Sequence, residues 1–329
     1  MGIPIVLFCL GLVLLIKGGD WFVDGATAVA HRFHLPELLI GATVVSIGTT
    51  LPEVMVSSRA AWIGNSGISY GNAIGSVICN TSLIAALTVA IRPTGVSKKT
   101  LLLPVASFFL TAIFYAGFAY INGGFSRWNG VFFLALFAAY MIMTVQQMKK
   151  HPETAADNCD TDHESSKSEE KESLLWRELS LLVVGAAAIA AGAHLLVENG
   201  TKIAQWIGVP DSVIGLTMVA LGTSLPELVT AITSLIKGHS ALSLGNIIGA
   251  NLFNLVLVSG MAITIHPFTI PTEKTLAGMN ASLIVDIPVM FITMGILCFP
   301  TLIKGKLNRW QGFLLLCIYA GFTSFQFFI

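Results

Sequence analysis

Residues Gly41–Ile84 read GATVVSIGTTLPEVMVSSRAAWIGNSGISYGNAIGSVICNTSLI, and Gly215–Val258 read GLTMVALGTSLPELVTAITSLIKGHSALSLGNIIGANLFNLVLV. Aligned without a gap at a constant offset of 174, 17 of the 44 positions are identical. The same offset pairs Pro36 with Pro210 and Asp24 with Glu198. Further on, Lys99-Thr100 is echoed by Lys274-Thr275, and Arg127-Trp128-Asn129-Gly130 by Arg309-Trp310-Gln311-Gly312. Self-similarity at one fixed period marks a chain built from copies of a single unit. Here the whole chain is two halves.

The 329 residues are 54% hydrophobic and 11% charged, with a mean hydropathy of +0.79. A soluble domain carries about 25% charged residues, so this composition excludes one. Eighteen basic residues balance eighteen acidic ones, which leaves no basic excess for a nucleic-acid partner. Cys9, Cys79, Cys159, Cys298 and Cys317 are odd in number and unevenly spaced. They read as packing residues, without a disulfide framework or a zinc site.

A bilayer core of ~30 Å needs about 20 apolar residues per helical crossing. Ten segments qualify: 4–30, 37–63, 68–91, 101–121, 128–148, 176–204, 211–236, 242–265, 277–299 and 310–328. The expected fold is therefore an all-α integral membrane protein of ten transmembrane helices. It divides into a first repeat (1–148), an acidic cytoplasmic linker (149–175) and a second repeat (176–329). Because five is odd, the second half must enter the membrane from the opposite side, giving two inverted five-helix repeats. That architecture is a hallmark of secondary transporters.

Lys and Arg gather on the cytoplasmic side of membrane proteins. Arg59, Arg127, Lys202 and Lys274 fall on one side, and thirteen others fall on the opposite one. The richer side is read as cytoplasmic, which places both termini outside the cytoplasm of a multi-pass plasma (inner) membrane protein. On that side His151–Ser173, with eight acidic residues and no apolar run, reads as a solvated tether.

Each half interrupts an apolar span with a polar motif: Gly48-Thr49-Thr50-Leu51-Pro52-Glu53 and Gly222-Thr223-Ser224-Leu225-Pro226-Glu227. Proline lacks an N–H and crowds the carbonyl four residues back. Both helices are thus expected to break or kink, freeing carbonyl oxygens that are tolerated in a membrane only where they line a cavity or meet a ligand. Glu53 and Glu227 fall near mid-span, where a bare carboxylate costs at least ~2.5–3.5 kcal/mol on insertion scales. A cation held between them, or a proton on one of them, removes that cost.

The next span in each half adds an amide stripe. Asn72, Ser76 and Asn80 recur every fourth residue, as do Asn246, Ala250 and Asn254, so each set lines one helix face. Gly71/Gly75 and Gly245/Gly249 form GxxxG patterns that allow close helix approach. Carboxylate, amide, hydroxyl and free carbonyl are all hard donors. They favour Na⁺, Ca²⁺ or Mg²⁺ over zinc or copper, and Ca²⁺ suits an all-protein cage better than Mg²⁺.

GTTLPE with GNAIGSVICN, and GTSLPE with GNIIGANLFN, resemble the paired repeats of the cation/calcium exchanger superfamily, most nearly its prokaryotic sodium/calcium exchangers. The resemblance spans nearly the full chain. It implies a secondary antiporter, not an enzyme, that uses no cofactor and exchanges Ca²⁺ for Na⁺ across the lipid bilayer by alternating access, with ions bound at the midplane. It further implies that Glu53 and Glu227 are the central shared carboxylates. Thr49, Thr223, Ser46 and Ala220 would supply backbone carbonyls, while Thr50 and Ser224 would supply hydroxyls. Ser76 would complete an inner Na⁺ site, and Asn80 and Asn254 the central site; Asn72 and Asn246 join the candidate metal ligands from the stripes.

Three positions depart from the family pattern. Ala250 stands where Ser is usual, Val77 where Asn is usual, and Asn254 where some potassium-dependent relatives carry Asp. The rival within the superfamily is a proton/calcium exchanger. A cation channel is the rival from another class.

Several polar residues fall outside the motifs. Asp286 in span nine has Thr111 as its counterpart, and it suits either a proton relay or a helix–helix hydrogen bond. Asp20 and Asp24 with Lys17, and His194 with Glu198, are expected to form local ion pairs or anchor at the interface, with an ion-entry vestibule as the alternative. Trp21, Trp128 and Trp310 are expected at the membrane interfaces.

Overall fold

A computed structural model describes residues 2–93, 95–150, 168–207, 222–272, 275–276 and 278–328. Among the described residues the chain forms helices α1 (Gly2–Arg32), α2 (Glu37–Trp62), α3 (Ser66–Ile91), α4 (Lys98–Asn122) and α5 (Arg127–Lys150). The second half forms α6 (Ser168–Trp206), α7 (Leu225–Ile236), α8 (Ser240–Ile265), α9 (Ser282–Lys304) and α10 (Arg309–Phe328). Eight of these, all but α7 and α10, are long and apolar enough to cross a membrane by length and composition. Their outward faces carry large apolar side chains such as Ile3, Val6, Ile113, Ile142, Val183 and Ile303, as lipid contact requires. The span expected at 211–236 is described only from Gly222 onward, where it carries α7. The middle of the acidic segment, 151–167, also lies outside the described residues, and α6 begins at Ser168, ahead of the expected 176.

The repeat legible in the sequence reappears as paired contacts. Helices α1 and α6 cross at glycine: Gly11 lies against Gly192, Gly18 against Ile189 and Gly185, and Gly25 against Leu182. Partner numbers fall as α1 numbers rise, so the two helices run antiparallel. Gly11 and Gly185, and likewise Gly18 and Gly192, are repeat equivalents at the offset of 174. A Cβ at any of these positions would strike backbone, so the close approach depends on their having none.

The same logic holds at the periphery. Gly130 of α5 abuts Gly260 and Thr264 of α8, and Gly312 of α10 abuts Ala86 and Ala90 of α3. At the ends, strand β1 (Gly124–Phe125) pairs antiparallel with β2 (Phe268–Thr269), while Gly95 bridges Lys306. Ile270 N–H donates to the Gly123 carbonyl at 3.0 Å, and Val96 N–H donates to the Gly305 carbonyl at 2.9 Å. Gly123 and Gly305 end α4 and α9 in the left-handed region, with φ of 64° and 69°, a conformation natural to glycine. A second small ribbon joins β3 (Thr275–Leu276) to β4 (Met279–Asn280).

Among the described residues, wide turns, each a π-helical stretch, occur in four helices: Gly41–Val45 within α2, Asn80–Ala85 within α3, Asn254–Val258 within α8 and Ser282–Asp286 at the start of α9. Such turns recur at functional sites. Two of the four begin at the repeat-equivalent asparagines of the amide stripes. Elsewhere the helices are conventionally supported. The Asn65 side chain accepts from Ile68 N–H at the start of α3. Gln311 Nε2 donates at 2.8 Å to the Ile296 carbonyl, the group that Pro300 leaves without its helical partner.

The two prolines of the polar motifs behave differently. Helix α2 runs unbroken through Pro52, so of the break or kink expected there, the break does not occur. One missing hydrogen bond is tolerated because the helix is held on both sides of the proline, after it by Asn72 Nδ2 donating to the Glu53 carbonyl. Gly48 packs tightly on Phe22, and Ser46 and Thr49 bond to Asn246. In the second half the helix is interrupted. Thr223 and Ser224 form a turn, and α7 starts at Leu225 with Pro226 in its first turn, where a proline loses no bond.

Candidate functional site

The polar motifs of α2 and the 222–227 segment meet the amide stripes of α3 and α8 in the interior. Ser46, Thr49, Thr50, Glu53, Ser76 and Asn80 are buried, as are Ser224, Glu227, Asn246 and Asn254; Thr223 and Asn72 are half-buried. The Glu53 and Glu227 carboxyls act on one another electrostatically. The Thr49 and Thr50 hydroxyls stand beside Glu227 without reaching it in good hydrogen-bond geometry. Ala220, the remaining candidate, lies outside the described residues.

The site is under-bonded in a symmetric way. Among the described residues, Thr50 Oγ1, both oxygens of Glu53 and both amide atoms of Asn80 are buried with no hydrogen-bond partner. So are their equivalents: Ser224 Oγ, both oxygens of Glu227 and both amide atoms of Asn254. Leaving one buried polar group unsatisfied costs ~1–3 kcal/mol, and more if it is charged. Orphans at three equivalent places in both halves make these groups the candidates for holding a ligand. Ser224 is telling. It holds the N-cap position of α7, yet makes no capping bond, which leaves its oxygen free for other use.

Not every candidate shares this state. Thr49 Oγ1 donates to Asn246 Oδ1 at 3.2 Å, and Thr223 Oγ1 donates to Asn72 Oδ1 at the same distance. Each bond crosses from one half to the other. Ser46 Oγ donates to the Gly41 carbonyl at 2.7 Å and also lies 2.9 Å from the Asn246 carbonyl. The hydroxyls of Thr49, Thr223 and Ser46 and the amide oxygens of Asn72 and Asn246 are therefore engaged within the protein. Their present work is to fix the backbone of the two motifs. The GxxxG glycines of α8 serve the same end: Gly245 lies against Leu38 of α2, and Gly249 against Ala42 and Ser46.

The halves also differ. Asn72 Nδ2 donates to Ser57 Oγ at 2.8 Å and to the Glu53 carbonyl at 3.2 Å. The equivalent of Ser57 is Ala231, and Asn246 Nδ2 is buried without an acceptor. Beside the site lies a crevice lined by Phe22 of α1, Ala186, Ile189 and Ala190 of α6, Gly48, Thr49 and Pro52 of α2, and Pro226 of α7. Composition alone passed over one neighbour. Cys79, read as a packing residue, lies beside Ser224 and both carboxylates, because it directly precedes Asn80.

The remaining polar residues resolve into local roles. Asp20 and Asp24 do not pair with Lys17. Lys237 at the end of α7 takes both, with Nζ 2.7 Å from Asp24 Oδ1 and 3.4 Å from Asp20 Oδ1. On α6, Glu198 pairs with Lys202 at 2.7 Å and with His194 at 3.3 Å, within its own helix. Asp286 accepts from Gln326 Nε2 of α10 at 2.9 Å, one helix–helix bond of the kind expected. His239, just before α8, meets Glu37 at 2.8 Å, and this bond raises the imidazole pKa above its ordinary value. Trp21, Trp128 and Trp310 are exposed.

Fold and site together define an ion-transporting membrane protein. Comparison with known proteins then gives the family. Residues 3–146 and 178–328 match the model for the sodium/calcium exchanger protein family, and the chain belongs to it. Among its relatives, the putative antiporter CaxA of Alkalimonas amylolytica is 33% identical over 99% of both chains. The sodium/calcium exchanger MaX1 of Methanosarcina acetivorans is 30% identical over 98% of both. A solved structure of the sodium-calcium exchanger NCX_Mj, soaked with Na⁺ and Sr²⁺, superposes with a TM-score of 0.78 at 32% identity over 97% of both chains. The chain is thus a cation/Ca²⁺ antiporter of the lipid bilayer, not an enzyme. Na⁺ and Ca²⁺ are the substrates of its family, and no cofactor is used.

Proposed function

We propose that this antiporter exchanges Ca²⁺ for Na⁺ by alternating access, binding its ions at the midplane between two inverted five-helix repeats. The observation that carries the reading is the double set of orphaned oxygens, Thr50, Glu53 and Asn80 against Ser224, Glu227 and Asn254. Together they offer two carboxylates, two hydroxyls and two amides, a hard-donor set suited to Ca²⁺, which takes 6–8 oxygens at ~2.3–2.6 Å. The carbonyls of Thr49, Thr223, Ser46 and Ala220 add further donors, and Ser76 serves a flanking Na⁺. Asn72 and Asn246 act through Thr223 and Thr49, holding those carbonyls in place.

Coupling follows from charge. The two carboxylates carry about two negative charges, which one Ca²⁺ or several Na⁺ can neutralise. Empty, they repel in a dry interior, where ionised groups are costly. Passage between outward and inward states therefore requires cargo, and competition for one site becomes obligatory exchange. The antiparallel glycine contact packs α1 closely on α6, so that the two slide as one unit against the other helices. Ten crossings leave both termini on one side, and the Lys and Arg bias supports reading that side as outside, with residues 149–175 in the cytoplasm.

The test is ⁴⁵Ca²⁺ uptake into proteoliposomes with Na⁺, K⁺ and pH gradients imposed one at a time. An outward Na⁺ gradient alone should drive uptake. Uptake driven by a pH gradient and indifferent to Na⁺ would assign the chain to the proton-coupled alternative.

A further inference from the structure

The two orphaned amides, Asn80 and Asn254, each open a π-helical turn, and something must hold those turns in register. One bond in the structure joins them. Asn251 Nδ2 donates to Thr81 Oγ1 at 2.7 Å, and Thr81 Oγ1 in turn donates to the Val77 carbonyl at 2.8 Å. Thr81 directly follows Asn80, and Asn251 lies three residues before Asn254. The Met294 sulfur of α9 closes the group, 3.2 Å from Asn251 Nδ2 and 3.3 Å from Thr81 Oγ1. All of these side chains are buried.

This node breaks the repeat. The equivalent of Asn251 is Val77, and the equivalent of Thr81 is Leu255. One half gives the donor and the other the acceptor, so a single bond replaces two symmetric ones. Asn251 commits its Nδ2 to Thr81, while its Oδ1 is buried without a hydrogen-bond partner among the described residues, so the bond to Thr81 also fixes where that oxygen points. A hydroxyl that accepts one bond while giving another is polarised by both, which strengthens the chain Asn251–Thr81–Val77.

We infer that Asn251 and Thr81 are positioning residues for ion affinity: their bond fixes the α3 and α8 turns so that Asn80 and Asn254 converge on one cation. This inference rests on the shared-site reading above. Thr81→Val and Asn251→Leu each remove one partner and strand the other. The double variant replaces both with apolar groups, a change that folding tolerates better than either single one.

The readout is Na⁺-driven ⁴⁵Ca²⁺ exchange in proteoliposomes as a function of Ca²⁺, with Thr81→Ser as the conservative variant and Glu53→Gln as the control for the site itself. Losing one neutral hydrogen bond predicts that half-saturating Ca²⁺ rises about fivefold, with the maximal rate per folded protein held within about twofold. The double variant should match the single ones, and Thr81→Ser should restore the normal value. An unchanged half-saturation in the double variant, or single effects that simply multiply, would overturn the inference. If Glu53→Gln transports normally, the shared-site reading fails whatever the Asn251 variants do.

Discussion

The motif of the first half, GTTLPE, sits inside a continuous helix, whereas GTSLPE in the second half spans a break. Both contain the same proline and the same glutamate, so the difference lies in their surroundings. Around the first motif, Asn72 has three partners: the Ser57 hydroxyl, the Glu53 carbonyl and the Thr223 hydroxyl. Around the second, Ala231 leaves Asn246 Nδ2 with none among the described residues. A proline removes one backbone bond wherever it stands; the neighbours decide whether the helix survives. The first half is a braced wall and the second a less braced one, yet both place their carboxylate at the same junction.

Substitutions can break or sharpen that contrast. The largest effects should come from glycines at the brace. Gly245→Val drives a side chain into the Leu38 carbonyl, a backbone group that cannot step aside. We expect a loss of about 3 kcal/mol or more, read as a collapse of thermal stability in detergent. A Cβ at Gly71, the repeat equivalent, would meet no described residue within 4 Å, so Gly71→Val should cost much less; a matching loss would dissolve the contrast.

Smaller effects follow at the asymmetric hydroxyl. Ser57→Ala should leave Asn72 Nδ2 with the Glu53 carbonyl alone and cost ~1 kcal/mol. Ala231→Ser should give Asn246 the acceptor it lacks and add ~1 kcal/mol. Opposite shifts in melting temperature would sharpen the contrast, whereas equal shifts would dissolve it.

The smallest effect is electrostatic. The bond to Glu37 raises the His239 pKa, so protonated His239 stabilises the fold fully below about 6.5, the ordinary histidine value. That contribution fades as pH rises through the raised value in the folded protein. For a partly exposed pair it amounts to under about 1 kcal/mol. His239→Gln should flatten the pH dependence of melting in that window and leave the more acid limb unchanged.

Much of this arrangement was written in the sequence. A constant offset reveals the repeat, and two buried glutamates at equivalent positions point to the candidate site, because both signals survive without knowledge of packing. The rest depends on distant partners. The pairing of Lys237 with Asp20 and Asp24 joins residues more than 200 apart in the chain, and no local pattern encodes it. The π-helical turns at Asn80 and Asn254 follow from cross-helix contacts. Pro52 reads as a helix breaker only until Phe22 and Asn246 before it, and Asn72 after it, are seen to hold the helix. The amides of Asn72 and Asn246 look like ligands in a stripe, and only their threonine partners reveal the bracing role.

The central claim is that one cation is shared between carboxylates from opposite halves. It is tested most directly by equilibrium ⁴⁵Ca²⁺ binding to the purified protein, comparing wild type with Glu53→Gln and Glu227→Gln. A shared site predicts that either substitution alone removes binding, although each leaves the other half untouched. Retention of half the bound Ca²⁺ in each single variant, with loss only when the two are combined, would mean two independent sites and would contradict the account.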